Sequence, residues 1–569
     1  MAPTTTELVE WLRTDGQLVD VAAADRDPSW MDARGLAAAA TGWVTIGADR
    51  GELEVRITKD FPSRLPSIAV STDGPFAGAP HVGASGLICY RQDERVMADA
   101  GRLADIVREA VNLAMTTLRT GREAAPVEYA NEITAYWKHS FQRIPTYISL
   151  IDPGDEPRLI VSSRDRSGAR LFLESHDQLG AFAPARRREG QVCNALYVPI
   201  DLPTRPGFHP KALATPAGFL EYVLPILARG QHAWRDFVRH IRGASVDVLL
   251  GVKRTLGRRG VIGIGIQTLR RLDESILLSA DQCRFSAFLV EPADRPFLVP
   301  RGGGSLELAD KKVLLVGCGS VGGHVSLALA RAGIGQLDLV DPDNFETANT
   351  HRHVCGRAHW LGSKSDGLKQ EIERLLPYVE VRSHRSNILD MLARDPNLLA
   401  RYDLVVSATG APLTDRGINE VVQTTPGAPP ALFAWLEPYG IGAHVLAVNV
   451  AGRRRGCFEC LHYEDRDGFA CQVAFAAPDM VYGQDAMGCG GQFVPFGDLH
   501  ANRLALRVVE RALELLAGSE DGGLISSKGS VRAFHEAGFR TTKRYDTPGT
   551  ELTLSSHQLA RSDCSVCGP

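Results

Sequence analysis

Cysteines and glycines carry most of the chemistry this 569-residue chain could do. Cys457 and Cys460 form one C-x-x-C pair ("GCFECL"), and Cys564 and Cys567 form another at the end of the sequence ("DCSVCGP"). Two residues between ligands let both sulfurs face one ion, and four thiolates favour Zn²⁺ in a closed, structural site. The pairs lie 103 residues apart, so spacing alone leaves open a redox pair beside an unrelated pair. Cys489 sits in a glycine-rich stretch ("DAMGCGGQF") ahead of a long amphipathic pattern, where a thiol could travel to an activated carbonyl. Cys89 follows His81 by eight residues in "HVGASGLIC". Cys318 lies within a glycine loop and is expected to pack. Cys193 and Cys283 have strand-like apolar surroundings and are expected in the core. Cys471 is the alternative to Cys489 as a reactive thiol.

The glycine loop belongs to "KKVLLVGCGSVGGHVSLALARAGIGQLDLVD". Its pattern predicts a strand over 312–316, a turn at Gly317, Gly319 and Gly322, and a helix from about 321 that stops at Gly333. A second strand over 337–341 follows, ending in Asp341. Such glycines let backbone approach a phosphate at a helix N-terminus, and a carboxylate at the next strand tip can accept ribose hydroxyls. Asp343, Asn349, Arg352 and Lys364 follow closely. Two cations and an amide just past a ribose carboxylate suit a triphosphate whose pyrophosphate must leave. An NAD(P) oxidoreductase needs neither Arg352 nor Lys364.

These elements set the fold class: an α/β multidomain chain. Residues 1–145 predict α–β–α, with a Thr4–Glu7 capping box, strands near 42–47, 52–58 and 67–71, and helices near 101–119 and 126–140. Residues 146–300 predict a mixed middle domain without a chemical motif. "RPFLVPRGGGS" (295–305) is expected to be a linker. Residues 301–569 predict a doubly wound, Rossmann-like parallel sheet. A net charge of −4 provides no general basic field for nucleic acid. No apolar run approaches the roughly 20 residues of a membrane span. The N-terminus lacks the basic and apolar regions of a signal peptide, so a cytoplasmic location is the default expectation.

The set Gly317/Gly319/Gly322, Asp341 and Asp343, Asn349 and Arg352, then Lys364 resembles the ubiquitin-activating (ThiF/MoeB-like) adenylyltransferase family, which includes the thiamine and molybdopterin sulfur-carrier activators. The resemblance covers 295–569. It implies ATP as substrate, with Asp341 on ribose and Arg352 and Lys364 on phosphates. It also implies a paired C-x-x-C zinc site that pins the C-terminal tail. Where the family has a magnesium-binding Asp, this chain has Gly410, leaving Asp343 or Asp415 to serve Mg²⁺. His353 replaces the usual Gln after Arg352.

Residues 1–145 resemble the ubiquitin-conjugating fold through Phe61, Pro62, Pro66, His81, Gly86, Ile88 and Cys89. The usual His-Pro-Asn is here His81-Val82-Gly83, without the Asn, and His81 is a candidate catalytic base or a residue that holds the loop. The domain order resembles the conjugating–activating fusions of bacterial anti-phage CBASS operons. That resemblance implies thioesters on Cys489 and then Cys89, with final transfer to target lysine amines. It further implies a homodimer and, as substrate, a cGAS-like (CD-NTase-type) cyclase activated at its C-terminus. A sulfur-carrier activator of cofactor biosynthesis would use the same 295–569 but leave 1–300 unexplained. An inactive binding scaffold remains the third reading.

Overall fold

The computed structural model describes residues 2–83, 85–90, 101–141, 143–182, 191–203, 208–229, 245–268, 283–465, 468–478, 480–485 and 492–568. The chain divides into two compact units, Met1–Asp294 and Arg295–Pro569.

The first unit opens with the helix Thr5–Asp15. Its start is the expected reciprocal cap: Thr4 Oγ1 accepts from the Glu7 amide, and the Glu7 carboxylate accepts from the Thr4 amide at 2.7 Å. Four antiparallel strands follow as a meander: β1 (Val19–Ala23), β2 (Leu36–Ile46), β3 (Asp49–Thr58) and β4 (Ser67–Val70). Alternating apolar residues put Leu53, Val55 and Ile57 of β3 on the face covered by Leu8 and Leu12 of the first helix. The helix Leu103–Glu123 adds Val107, Val111, Ala114 and Leu118 at three- and four-residue spacing to the same core.

Residues 146–292 fold into a closed seven-stranded barrel that periodicity alone did not reveal. Its strands are β5 (Thr146–Ser149), β6 (Arg158–Arg164), β7 (Arg170–Leu173), β8 (Gln191–Ile200), β9 (Ser245–Val252), β10 (Gly260–Thr268) and β11 (Cys283–Pro292), joined in the order β10-β11-β5-β7-β6-β8-β9. Along β8 the side chains alternate. Ala195 and Tyr197 join Phe172 and Phe288 in one cluster, while Leu196, Val198 and Ile200 join the helices Ala125–Asn131 and Ile133–Ser140 in another. Trp137 is fully buried there, its indole N–H donating to the Phe288 carbonyl at 3.0 Å.

The second unit begins with the short helix Arg295–Arg301, in a stretch expected to be a linker. Arg295 explains the order: its guanidinium donates to the carbonyls of Tyr378 and Gly333. The central sheet contains β12 (Lys312–Val316), β13 (Gln336–Val340), β14 (Glu380–His384), β15 (Leu404–Ser407), β16 (Ala431–Leu436) and β17 (Gly442–Val448). Two short hairpins come next in sequence: β18 (His462–Asp465) with β19 (Gly468–Cys471), and β20 (Gln484–Asp485) with β21 (Gln492–Phe493). β22 (Gly523–Lys528) and β23 (Glu551–Ser555) complete the central sheet in the order β14-β13-β12-β15-β16-β17-β22-β23. The first five in that order are parallel, and the last three extend the sheet antiparallel. The carboxyl ends of the parallel strands therefore share one edge, where open α/β sheets bind ligands.

Candidate functional site

At that edge β12 turns through Gly317 into the helix Ser320–Ala332, which ends at Gly333 in the left-handed conformation (φ +107°). Gly317 has φ +89°, and a Cβ on it would meet the Ala408 carbonyl oxygen at 2.7 Å. A Cβ on Gly322 would lie 1.8 Å from the Gly317 carbonyl oxygen, so the turn closes only around hydrogen. Gly319 differs: its Cβ would have no neighbour within 4 Å. Gly319 thus offers open space at the helix N-terminus, as a phosphate cradle requires.

Both backbone groups of Cys318 are held. Its amide donates to Asp341 Oδ2 at 2.7 Å, and its carbonyl accepts from His353 Nε2 at 2.6 Å. The other Asp341 oxygen accepts from the Asp343 amide at 2.8 Å. Burial pushes the Asp341 carboxyl up, against the two amides that pull it down. The Cys318 side chain is fully buried, and burial raises its thiol well above the ordinary range, so it packs as expected.

Lys364 starts the helix Lys364–Leu375 and pairs through Nζ with Asp343 Oδ2 at 2.9 Å. The Asn349 carboxamide oxygen accepts from the Glu346 amide at 3.2 Å and caps its own turn. Arg352 lies over the Phe496 ring, 4.8 Å from its centre, and its buried Nε has no hydrogen-bond partner among the described residues. A buried guanidinium N–H left unmatched is costly unless a ligand oxygen completes it. The residues fit a nucleotide phosphate on this observation and on the open cradle at Gly319.

Magnesium is less well served. Asp415, expected as a substitute ligand, is buried, and one of its oxygens accepts from Ser407 Oγ (2.6 Å) and Thr409 Oγ1 (2.9 Å). Its role is to hold the turn after β15, and burial raises it to about 6. Gly410 in that turn has φ +63°, a conformation that disfavours a side chain. Asp343 is the exposed carboxylate of this edge, and it is already paired with Lys364.

The two C-x-x-C pairs meet. Sγ separations are 4.0 Å for Cys457–Cys460, 3.7 Å for Cys457–Cys564 and 3.4 Å for Cys460–Cys567. All four sulfurs lie within 4.8 Å of one another. A tetrahedral ion with bonds of about 2.3 Å would set its sulfurs about 3.8 Å apart, so these residues fit Zn²⁺. The site ties the short helix Phe458–Leu461 to the chain's C-terminal residues.

Cys489 lies outside the described residues. The flanking segments are held by a group the sequence did not single out. The buried Glu437 carboxylate accepts from His444 Nε2 at 2.7 Å, from the Phe475 amide at 2.7 Å and from the Ala476 amide at 2.6 Å. Two residues on, the Tyr439 amide donates to the Pro495 carbonyl at 2.6 Å, and Gln484 Nε2 donates to the Tyr439 hydroxyl at 2.8 Å. Gln484 pairs with Phe493 across β20 and β21. Cys471, the alternative thiol, has its pKa raised to about 11 by burial.

In the first unit, His81 and Cys89 face each other across a short hairpin, with the Cys89 amide donating to the His81 carbonyl at 2.7 Å. The imidazole points to carboxylates: Nε2 is 3.0 Å from Glu128 Oε2, and Nδ1 is 3.6 Å from Glu132 Oε2. His81 itself has φ +63°, and its amide is held by the Tyr136 hydroxyl. Cys89 is exposed.

Residues 298–483 fit the model of the ThiF family. The second unit carries a ThiF-family domain. Over 196 residues the chain is 32% identical to the ATP-dependent ubiquitin transferase-like protein Cap2 of Pseudomonas aeruginosa, covering 34% of each. It is 37% identical over 123 residues to the adenylyltransferase and sulfurtransferase uba4 of Aspergillus niger (21% of this chain, 25% of that protein). It is 26% identical over 282 residues to the adenylyltransferase and sulfurtransferase MOCS3 of Dictyostelium discoideum (49% and 57%). These alignments span from a quarter to just over half of the relatives' own length. Among solved structures, Escherichia coli MccB with ATP is 21% identical, with a TM-score of 0.33, over 48% of this chain and 70% of that one. No described helix is long and apolar enough to cross a membrane.

Proposed function

We propose that this chain activates the C-terminal carboxylate of a protein with ATP and passes the acyl group through two cysteines to a target amine. The observation that carries the reading is the open Gly319 turn, tied through Cys318 to His353, together with the unmatched Nε of the adjacent Arg352, within a ThiF-family domain. The substrate carboxylate attacks the α-phosphate of ATP, forming an acyl adenylate and releasing pyrophosphate. Arg352 and Lys364 carry the charge to balance that leaving group, Asp341 accepts from the ribose, and Asn349 shapes the turn that carries Arg352. Asp343, the exposed carboxylate beside Lys364, would hold Mg²⁺, which would supply further positive charge for the phosphates.

Cys489 then attacks the adenylate, and AMP leaves with the electrons of the broken acyl–phosphate bond. Phe496, seven positions after Cys489 in the sequence, underlies Arg352. Cys89 takes the acyl group by thioester exchange. A conjugating role for residues 1–145 is supported by the helix, four-stranded meander and helix around one exposed cysteine. In this role His81 is a positioning residue, with Glu128 and Glu132 orienting its ring. Carrying both thiols on one chain raises their effective concentration. The similarity to the ubiquitin transferase-like protein Cap2 supports the transfer reading; the order of the domains adds a CD-NTase-type cyclase as the activated protein, in bacterial anti-phage defence, and a homodimeric enzyme. The Zn²⁺ site is structural, with no ligand position open to substrate.

The sulfurtransferase relatives favour a second reading, a sulfur-carrier activator. Intact-mass spectrometry with ATP and a candidate substrate protein separates the two. The conjugating reading expects a thiol-sensitive adduct on Cys89, loss of all thioester in Cys489→Ala, and retention of the first thioester in Cys89→Ala. Charging of Cys89 in Cys489→Ala would overturn the relay.

A further inference from the structure

A cavity of about 500 Å³ opens beside Cys89, lined by that residue, His81, Glu132, Tyr136 and His139 on one side and by Arg34, Arg56 and Arg64 on the other. This volume falls within the range of sites that take small ligands or short chain segments. Among the described lining residues, three arginines stand against one carboxylate. The lining carboxylate, Glu132, already faces His81. Behind the lining residues Arg34 and Arg56, the Trp30 ring gathers three guanidinium groups, with the carbons of Arg26, Arg34 and Arg56 at 5.0, 4.3 and 5.5 Å from its centre. Glu54 accepts from Arg26 at 2.8 Å and from Arg56 at 2.9 Å, and the charges of Glu52 and Asp25 also act on Arg26. Arg34 reaches only the Trp30 carbonyl, at 3.5 Å, and no carboxylate among the described residues. The buried Nε of Arg56 and the buried hydroxyl of Thr58, both on cavity-lining residues, are without hydrogen-bond partners in the described structure. Like charges gathered on one aromatic ring repel, and a bound anion would relieve that repulsion.

We propose that this cavity is an anion-selective subsite for acidic residues immediately preceding the carbonyl delivered to Cys89. The proposal rests on Cys89 being an acyl acceptor. An acyl chain on Cys89 is tethered at the cavity wall, and each residue before its carbonyl extends at most about 3.6 Å. Its last few residues are thus confined to this surface at high effective concentration, unlike a diffusing target protein. The chemistry is an exchange. The Cys89 thiolate adds to the incoming thioester carbonyl, the new carbon–sulfur bond forms, the old one breaks, and the departing thiol leaves as its thiolate.

Synthetic peptides carrying a C-terminal alkyl thioester test this on the full-length protein without ATP. One series ends Asp-Glu-Gly, its isosteric control Asn-Gln-Gly, and a third Lys-Lys-Gly, with adduct formation on Cys89 followed by intact mass against Cys89→Ala. The acidic peptide is expected to load at least about tenfold faster than the amide control at low salt, with the lysine peptide slowest. The preference should shrink at high salt, where screening is strong. Arg34→Gln should erase most of the preference while leaving the thermal melting of the protein close to wild type. Equal loading of acidic and amide peptides overturns the subsite and leaves the acceptor role standing. A preference that survives Arg34→Gln undiminished also overturns it. Failure of every peptide to modify Cys89 removes the acceptor role and the subsite together.

Discussion

The Cys318 amide donates to one oxygen of Asp341 at 2.7 Å, so the residue proposed to hold ribose also ties the glycine loop to the tip of β13. A carboxylate oxygen has more than one acceptor direction, so both duties are compatible. The coupling predicts that Asp341→Ala removes nucleotide binding and also loosens the loop. Hydrogen bonds to charged groups contribute about 1.5–3 kcal/mol each, so a loss of that order is expected in chemical denaturation. Asp341→Asn should recover part of the stability and little of the pyrophosphate exchange. Full exchange by Asp341→Ala would remove the ribose role.

Gly319 and Gly322 should respond differently to the same methyl group. Gly322→Ala collides with the Gly317 carbonyl and should lower the melting temperature along with activity. Gly319→Ala enters open space and should fold normally while ATP binding, followed by calorimetry, falls at least about tenfold. Unchanged ATP affinity in a well-folded Gly319→Ala would place the phosphate elsewhere.

The four-cysteine site predicts one Zn²⁺ per chain by elemental analysis. Cys564→Ser should release most of it and expose the C-terminal residues to protease, since the ion links segments about a hundred residues apart. Adenylation should fall less than stability, because none of these thiolates lies in the proposed reaction path. A chain that holds no zinc and melts unchanged in Cys564→Ser would make the cluster an unligated one.

What the sequence made legible was local. The loop from Gly317 to Gly322 and the stop at Gly333 follow from neighbours a few residues apart, and strand and helix appear at the expected positions. The seven-stranded barrel was not legible, because closure depends on β11 pairing in parallel with β5, which begins 137 residues earlier. The partners of His81 were also hidden: Glu128 and Glu132 reach it from helices about 50 residues on. For Asp415 the sequence shows type and position but not the hydroxyls of Ser407 and Thr409 that donate to one of its oxygens. The Glu437–His444 pair sits in a plain strand turn, and only the fold shows that Glu437 also holds the amides of Phe475 and Ala476.

His353 supplies a pH-dependent prediction. Its Nδ1 accepts from the Cys355 amide at 3.0 Å, which leaves Nε2–H to donate to the Cys318 carbonyl. Burial lowers its pKa from 6.5 to about 4, outweighing the favourable bond to Cys318. Between those values the unfolded chain binds a proton that the folded chain refuses. Stability from this residue is therefore present above pH 6.5 and declines as pH falls toward 4, by up to about 3 kcal/mol. Protonating Nδ1 also turns an acceptor into a donor facing the Cys355 amide, which should loosen the loop before global unfolding. His353→Gln keeps one donor and one acceptor without titrating. The difference in denaturation free energy between wild type and His353→Gln should accordingly narrow or reverse in favour of the variant as pH drops from 7 to 4.5. ATP affinity should follow the same course. Parallel pH profiles for the two proteins would show that His353 does not control the loop.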